Sequence, residues 1–294
     1  MRGKRPPWLV QRAPRPEDLS RMQALLQEHG LHTVCEEARC PNQGECFAQQ
    51  TATFMILGRT CTRDCAFCSV SPGVPAPLDP EEPLRVARAS KELGLVHVVV
   101  TSVTRDDLQD GGAQHFAATI EAIRSHLPHA IIEVLIPDLK GDKVALEGIL
   151  AARPHILGHN LETVPRLYPL IRPQADYDRS LRVLALARQK GNGILTKSGL
   201  MLGLGESIAE VEKVLQDLRG ASCDLLALGQ YLQPTPRQAP VRAFIPPSAF
   251  SQLKERAEEL GFAYVASAPF VRSSYHSEEA YRQGRQRSSS MISP

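Results

Sequence analysis

The stretch Thr53-Phe54-Met55-Ile56-Leu57-Gly58-Arg59-Thr60-Cys61-Thr62-Arg63-Asp64-Cys65-Ala66-Phe67-Cys68 sets the reading of the whole chain. Phe54 to Leu57 is apolar without alternation and is closed by Gly58, as expected of a strand buried on both faces in a parallel sheet. A polar loop with three cysteines follows. The pattern of apolar run and then polar loop recurs downstream. Phe54 to Gly58, Val96 to Thr101, Ile131 to Ile136, His155 to His159, Ile194 to Leu202 and Asp224 to Gln230 read as strands. Glu81 to Leu93, Gln114 to His126, Lys143 to Ala151, Val164 to Ile171, Tyr177 to Lys190 and Ala209 to Arg219 carry helical spacing between them. Alternation of this kind predicts an α/β fold, either a partial (β/α)6 barrel of parallel strands or an open doubly wound sheet. The polar signatures favour the barrel, because Arg59 to Cys68, Ser102 to Gly112, Asn160 to Glu162, Gly203 to Glu206 and Tyr231 to Thr235 each follow a strand. Strand C-termini of a parallel barrel converge on one face, so five ends point at one site.

Outward from that core the chain has N- and C-terminal extensions. Residues 1–52 hold a proline-bearing arm, a helical stretch Pro16 to Glu28 and a loop with more cysteines; residues 53–245 are the barrel; residues 246–294 carry a further strand, Phe262 to Ala266, and a serine-rich tail from Gln283 expected to be mobile. With 294 residues and 43% hydrophobic content there is length for a substantial core, which excludes a small disulfide-stapled fold. Thirty-four basic against thirty-two acidic residues leave a net charge of +2, so no global basic field argues for nucleic acid. Apolar runs fall short of the roughly 18 residues that span a bilayer, and the basic start lacks the apolar stretch of a signal peptide. The expected compartment is the cytoplasm.

Six of the seven cysteines, Cys35, Cys40, Cys46, Cys61, Cys65 and Cys68, are crowded into thirty-four residues, and Cys223 stands apart as a core residue. In a cytoplasmic chain clustered thiols read as metal ligands or redox groups before disulfides. Cys61-x3-Cys65-x2-Cys68 places three thiolates on one loop, enough for three corners of a cubane iron-sulfur cluster with one iron left open. An open coordination position lets substrate reach the metal. Zinc is the competing reading, but it favours paired Cys-x2-Cys knuckles and four protein ligands, which are not found here. Cys35-x4-Cys40-x5-Cys46 repeats the three-ligand pattern, so two incomplete triplets imply two clusters with different tasks.

The Cys61 triplet, with Phe67 between its second and third cysteines, resembles the signature of the radical S-adenosylmethionine superfamily. That resemblance implies a 4Fe-4S cluster whose open iron is chelated by the amino and carboxylate groups of S-adenosylmethionine, and one-electron cleavage to a 5'-deoxyadenosyl radical. Together with the second triplet, the chain is similar to the lipoyl synthase family. The likeness rests on Glu36 to Asn42, Ser102 to Leu108 with Asp110-Gly111-Gly112, His159 to Thr163, Lys197-Ser198-Gly199, Gly203 to Glu206, Gly229 to Pro234 and Arg272-Ser273-Ser274-Tyr275-His276. It implies that the N-terminal triplet holds an auxiliary 4Fe-4S cluster that donates sulfur, and that its fourth ligand is a serine, Ser274 before Ser273. An alkoxide holds iron less firmly than a thiolate, which suits a cluster that is consumed. His276 is a candidate substitute ligand.

S-adenosylmethionine offers an ammonium, a carboxylate, a ribose diol and an adenine, so its pocket needs acceptors and donors at strand ends. Asn160 and Glu162 meet that need, with a helix cap as the alternative for Asn160. Thr101, Gly111, Gly112 and Gly203 are candidates for close approach to the cofactor, and Lys197 and Arg105 for anion contacts. The reaction implied is radical insertion of two sulfur atoms at C6 and C8 of a protein-bound octanoyl-lysine, because no side-chain base ionises an alkane C–H. The partners implied are octanoylated lipoyl carrier domains, such as 2-oxoacid dehydrogenase E2 subunits or the glycine cleavage H protein, an electron donor such as ferredoxin or flavodoxin, and an iron-sulfur carrier protein. Two alternatives stay open: a radical enzyme whose second cluster binds substrate, and a zinc-stapled binding module.

Overall fold

The computed structural model describes residues 5–10, 15–275 and 277–290; His276 therefore lies outside the described residues. Strands β1 (Thr53–Ile56), β2 (His97–Ser102), β3 (Ile131–Leu135), β4 (Ile156–Gly158), β5 (Leu195–Leu202), β6 (Leu225–Gln230) and β7 (Tyr264–Ser267) pair in chain order, every pair parallel. A sheet that never reverses its order winds in one direction. Thr53 of β1 and Ala227 and Gly229 of β6 line one cavity, so the two sides of the sheet face each other. The partial barrel expected from the sequence is thus present, with one strand more, β7, supplied by the C-terminal extension. Val98, Val100, Ile132, Val134, Ile156, Leu157 and Leu225 are inaccessible to solvent, which accounts for strands that read as unbroken apolar runs.

Helices α1 (Pro16–Glu28), α2 (Val34–Glu37), α3 (Gln43–Ala48), α4 (Glu82–Glu92), α5 (Ala113–His126), α6 (Lys143–Ala151), α7 (Tyr168–Ile171), α8 (Tyr177–Lys190), α9 (Ile208–Gly220), α10 (Pro247–Glu259) and α11 (Ser277–Ser290) complete the described chain. Their starts have local causes. Asp142 and Asp176 accept backbone N–H bonds at the starts of α6 and α8, and Ser207 with Glu210 forms a reciprocal capping box at α9. One expectation fails. The segment from Gln283 to Ser290 is not loose tail but the second half of α11, whose small residues Ala280 and Gly284 seat it on Leu195 and Leu225. A serine-rich composition hid that packing face.

The two extensions meet at the gap between β1 and β7. Thr33 bridges Phe54 in antiparallel fashion, and Met55 N–H donates to the His32 carbonyl, so the N-terminal segment lies along the β1 edge. The chain after β7 crosses toward it, where Asn42 Nδ2 donates to the Phe270 carbonyl at 2.7 Å and the Tyr275 hydroxyl to Glu45 at 3.0 Å.

Past β4, His159 is buried, with Nδ1 on the Ile136 carbonyl and Nε2 on the Ser180 hydroxyl, each at 2.9 Å. Burial, assisted by the Arg172 charge, pushes it down to about 4 from 6.5. The folded protein therefore binds fewer protons than the unfolded chain between these values, and stability complete above pH 6.5 falls as pH drops toward 4. The loss reaches roughly 3 kcal/mol. Burial likewise lowers His32 and His155, so the contribution of His159 is isolated by comparison: denaturant titrations of the metal-free protein should show a shallower decline in His159→Gln. Asp138 and Glu133, each held near 2, give up their contribution only below their ordinary values of 3.8 and 4.5.

Candidate active site

After β1 the chain turns through Leu57 and Gly58, both with positive φ, and the cysteine loop begins. Neighbouring strand ends hold it. Thr62 N–H donates to the Thr104 carbonyl at 3.0 Å past β2, Ala66 N–H to the Ile171 carbonyl at 2.9 Å past α7, and Gln238 Nε2 to the Cys68 carbonyl at 3.0 Å past β6. Arg63 adds a clasp. Its guanidinium, only 5% exposed, bonds Asp106 at 2.7 Å and Asp138 at 2.7 Å, and Asp138 also takes Arg179 at 2.9 Å. Cys61 Sγ accepts N–H groups from Thr104 at 3.3 Å and Arg63 at 3.4 Å. Burial pushes the Cys68 thiol up to about 12, and Cys65, Cys61 and Glu162 add to the push; burial also raises Cys65, against Arg172. Cys61 thus adds to the push on both of its companions, which puts the three thiols in one neighbourhood. Each gives up a proton when it binds metal, so loading the site releases protons.

The second triplet sits across the cavity. Thr33 caps α2, which buries Cys35, and α3 carries Cys46. Cys35, Cys40, Cys46, Ser273 and Ser274 line one cavity of about 220 Å³ together with Asn160, Glu162 and Gly199. Burial pushes Cys35 and Cys46 up to about 12, with Cys40 adding to both; burial raises Cys40 as well, opposed by the Arg272 charge. Ser274 Oγ accepts from the Thr53 hydroxyl at 2.8 Å, and the Thr53 backbone N–H reaches the Cys35 sulfur. The backbone thus delivers Ser274 to the cysteine group from over two hundred residues away. Ser273 faces elsewhere, its Oγ taking Asn160 Nδ2 at 2.7 Å.

Asn160 and Glu162 stand between the two triplets. Glu162, itself at positive φ, is raised by burial and eased by Arg172, Asn160 and Arg272. Asn160 Nδ2 also donates to Glu162 at 3.0 Å, while its Oδ1 is buried in the cavity wall with no partner. A buried acceptor without a donor is costly, and an arriving ammonium or hydroxyl would satisfy it. The donor chemistry is that of an iron-sulfur protein, with seven free thiols, six of them in two sequence triplets, and an unfilled acceptor in the cavity, although among the described residues no three such donors are drawn together at metal-holding distance.

The other expected residues have contacts of their own. Lys197 is at the opposite end of the barrel, bonded to Glu133 and Ser277, because it is the third residue of β5 and not one of its last. Arg105 is held by Asp107 at 2.8 Å and the Leu57 carbonyl at 3.2 Å. Thr101 donates to the Leu135 carbonyl at 2.9 Å, between β2 and β3. A Cβ on Gly112 (φ 92°) would strike Leu57 in the turn after β1, and one on Gly111 would approach Leu139 in the turn after β3, so close approach of neighbouring turns already asks for glycine at both. Gly203 is crowded by Gln230 and the Ala243 carbonyl. Cys223 is fully buried, as a core residue should be. Three arginines were given no role in the sequence reading: Arg63, Arg172, whose Nη1 bonds the Asn160 carbonyl at 2.9 Å, and Arg272, quoted there only within its motif and found near Cys40 and Glu162. The Arg63 position inside the cysteine motif was the available signal for the first; nothing local marks Arg172.

Residues 55–218, more than half the chain, match the model of the Radical SAM superfamily. The chain is 56% identical over 279 residues to the lipoyl synthase of Nitrosococcus oceani, covering 94% of this chain and 86% of that one. The chain belongs to the lipoyl synthase family. The lipoyl synthase of Alkaliphilus metalliredigens is similar to the same extent, 52% identical over 94% of this chain and 96% of its own. Among solved structures, the FeFe-hydrogenase maturase HydG of Carboxydothermus hydrogenoformans shares the fold, with a TM-score of 0.56 at 16% identity over 85% of this chain and 70% of that one. As a lipoyl synthase family member this is a radical S-adenosylmethionine enzyme, with the 4Fe-4S cluster and cofactor that the superfamily entails. Its reaction is the sulfur insertion that makes the lipoyl group. No helix among the described residues is long and apolar enough to cross a membrane.

Proposed function

We propose that the two cysteine triplets hold two clusters with divided labour, and that sulfur for both C6 and C8 of a carrier-bound octanoyl-lysine comes from the N-terminal one. The observation that carries this reading is the cavity walled by Cys35, Cys40, Cys46 and Ser274 together with Asn160 and Glu162, because the Glu162 carboxylate is also close enough to Cys65 and Cys68 to raise both thiols. An alkyl chain entering between the two triplets has a radical source on one side and a sulfur source on the other. The groups bound at Cys61, Cys65 and Cys68 supply hydrogen abstraction, and the group at the N-terminal triplet supplies sulfur.

The chain's own residues do the rest. Asn160 Oδ1 and the Glu162 carboxylate accept from the cofactor ammonium or ribose, and a cation there lowers the raised Glu162. Arg172 fixes the Asn160 backbone, and Arg63 fixes the loop. Ser274 closes the N-terminal site and is released when the site gives up its sulfur. We assign residues 1–52 to the auxiliary site, 53–245 to radical generation and 246–294 to closure. The carriers are octanoylated E2 or H-protein domains, electrons come from ferredoxin or flavodoxin, and an iron-sulfur carrier refills the site, all in the cytoplasm, where thiols stay reduced.

The test is incubation of the reconstituted protein with dithionite, S-adenosylmethionine and an octanoyl-lysyl peptide. Mass spectrometry should show a peptide that has gained two sulfurs. Deoxyadenosine production with an unchanged peptide would favour a second cluster that only binds substrate.

A further inference from the structure

The barrel interior contains a charged cluster that plays no part in the cavity at the strand ends. Lys197 Nζ donates to Glu133 Oε1 at 2.9 Å, and His97 Nε2 pairs with Glu133 Oε2 at 3.2 Å. Lys197 is 4% exposed, Glu133 2% and His97 9%. His97 opens β2, so the cluster is at the N-terminal end of the sheet. Burial opposes the Glu133 charge, yet Lys197 and His97 hold the carboxyl down to about 2. Buried ion pairs seldom repay their desolvation against an apolar replacement of equal size, and the best-attested use for one is to specify an arrangement.

The arrangement specified here is on the third arm. Lys197 Nζ also donates to the Ser277 hydroxyl at 3.0 Å. Ser277 is the first residue of α11, which is seated on the same floor: a Cβ on Gly284 would lie 2.7 Å from Leu225 and 3.1 Å from Leu195, and the Tyr281 ring meets His155 edge-on at 5.6 Å. Ser274 is three residues upstream, a reach of at most ~11 Å of chain. Any slip of Ser277 is therefore handed to the serine that faces Cys35.

We propose that Lys197 is a positioning residue for the auxiliary site: pinned by Glu133, it latches Ser277 through the barrel floor and so sets the segment Val271 to Tyr275 in the register that brings Ser274 to Thr53 and the N-terminal cysteines. This rests on the reading of Ser274 as the closing ligand, and the experiment separates the two. Ser277→Ala removes the latch with little risk to folding. Lys197→Met combined with Glu133→Gln removes it without leaving a lone buried charge. In the metal-free protein, amides of Val271 and Tyr275 donate to Ala268 and Arg272, so the segment has protection to lose. Hydrogen exchange over residues 271–275 should quicken about tenfold in both variants, the scale of one lost charge-assisted hydrogen bond, with β1 unchanged. Deoxyadenosine formation should stay at the wild-type level while lipoyl product falls, because the Cys61 loop is at the other end of the barrel.

Unchanged exchange in both variants overturns the latch, as does deoxyadenosine formation falling in step with product, which would mean general loosening. Faster exchange together with an altered Mössbauer signature of the N-terminal cluster supports latch and ligand alike. Faster exchange with that signature unaltered keeps the latch and removes Ser274 as ligand.

Discussion

Replacement of Cys61, Cys65 and Cys68 together by alanine is expected to abolish deoxyadenosine formation while leaving about four irons bound per chain, since one cubane holds four. The loop that carries these residues is the point where β1 ends and where the ends of β2, α7 and β6 all fasten, through Thr104, Ile171 and Gln238. Losing the thiols costs it the two long N–H contacts to Cys61 Sγ, while Arg63 with Asp106 and Asp138 still holds the backbone in place. The variant should therefore fold, keep the N-terminal cluster and lose only the chemistry. The converse variant, Cys35, Cys40 and Cys46 all to alanine, should retain deoxyadenosine formation and form no carbon–sulfur bond. Iron quantitation with chromatography of the nucleoside decides both. Undiminished cleavage in the first variant would move the radical source to the other triplet.

How much of this was legible depends on where the information resides. Every strand read from an apolar run is present within about two residues, the usual fraying of element ends, because burial on both faces forces continuous hydrophobicity. Helices α1, α6 and α8 match their expected bounds residue for residue, since a proline or a capping aspartate marks each start. The short helices α2 and α3 were read as loop: four and six residues are too few to show a period. α10 and α11 were missed for another reason: α10 buries only the narrow stripe Phe250, Leu253 and Ala257, and α11 is seated through Gly284 on Leu195 and Leu225, far away in sequence. The cysteine triplets could be singled out because the spacing that suggests ligands is local. Lys197 was misjudged although the strand read at Ile194 to Leu202 already put it in the first half, because its charge was weighed ahead of its position, and a few residues along a strand separate the mouth of a barrel from its floor. Arg172 and Arg272 act through tertiary proximity alone, at Asn160 and at Cys40.

The adjacent serines make the last test sharp, because the structure gives them different neighbours. Ser274 Oγ is beside Thr53 and the Cys35 group, whereas Ser273 Oγ holds Asn160 Nδ2. Thiolate binds iron more tightly than alkoxide, so Ser274→Cys should keep or strengthen the N-terminal cluster and reduce lipoyl yield at least about tenfold, a margin that needs only about 1.4 kcal/mol of extra hold on the iron. Ser274→Ala should leave that cluster open to solvent, hasten its loss to a chelator and also forfeit product. Ser273→Ala should act on the other side of the cavity. With the Asn160 amide held by Glu162 alone, it is freer to turn, and binding of S-adenosylmethionine should weaken while the N-terminal cluster resists the chelator as in the wild type. The expected pattern is therefore a crossing one: cofactor affinity moves with Ser273, and cluster retention moves with Ser274. Wild-type lipoyl yield from both Ser274 variants would refute the ligand role. Full activity in Ser274→Ala with loss in Ser273→Ala would transfer it one residue upstream, to a side chain that would first have to leave Asn160.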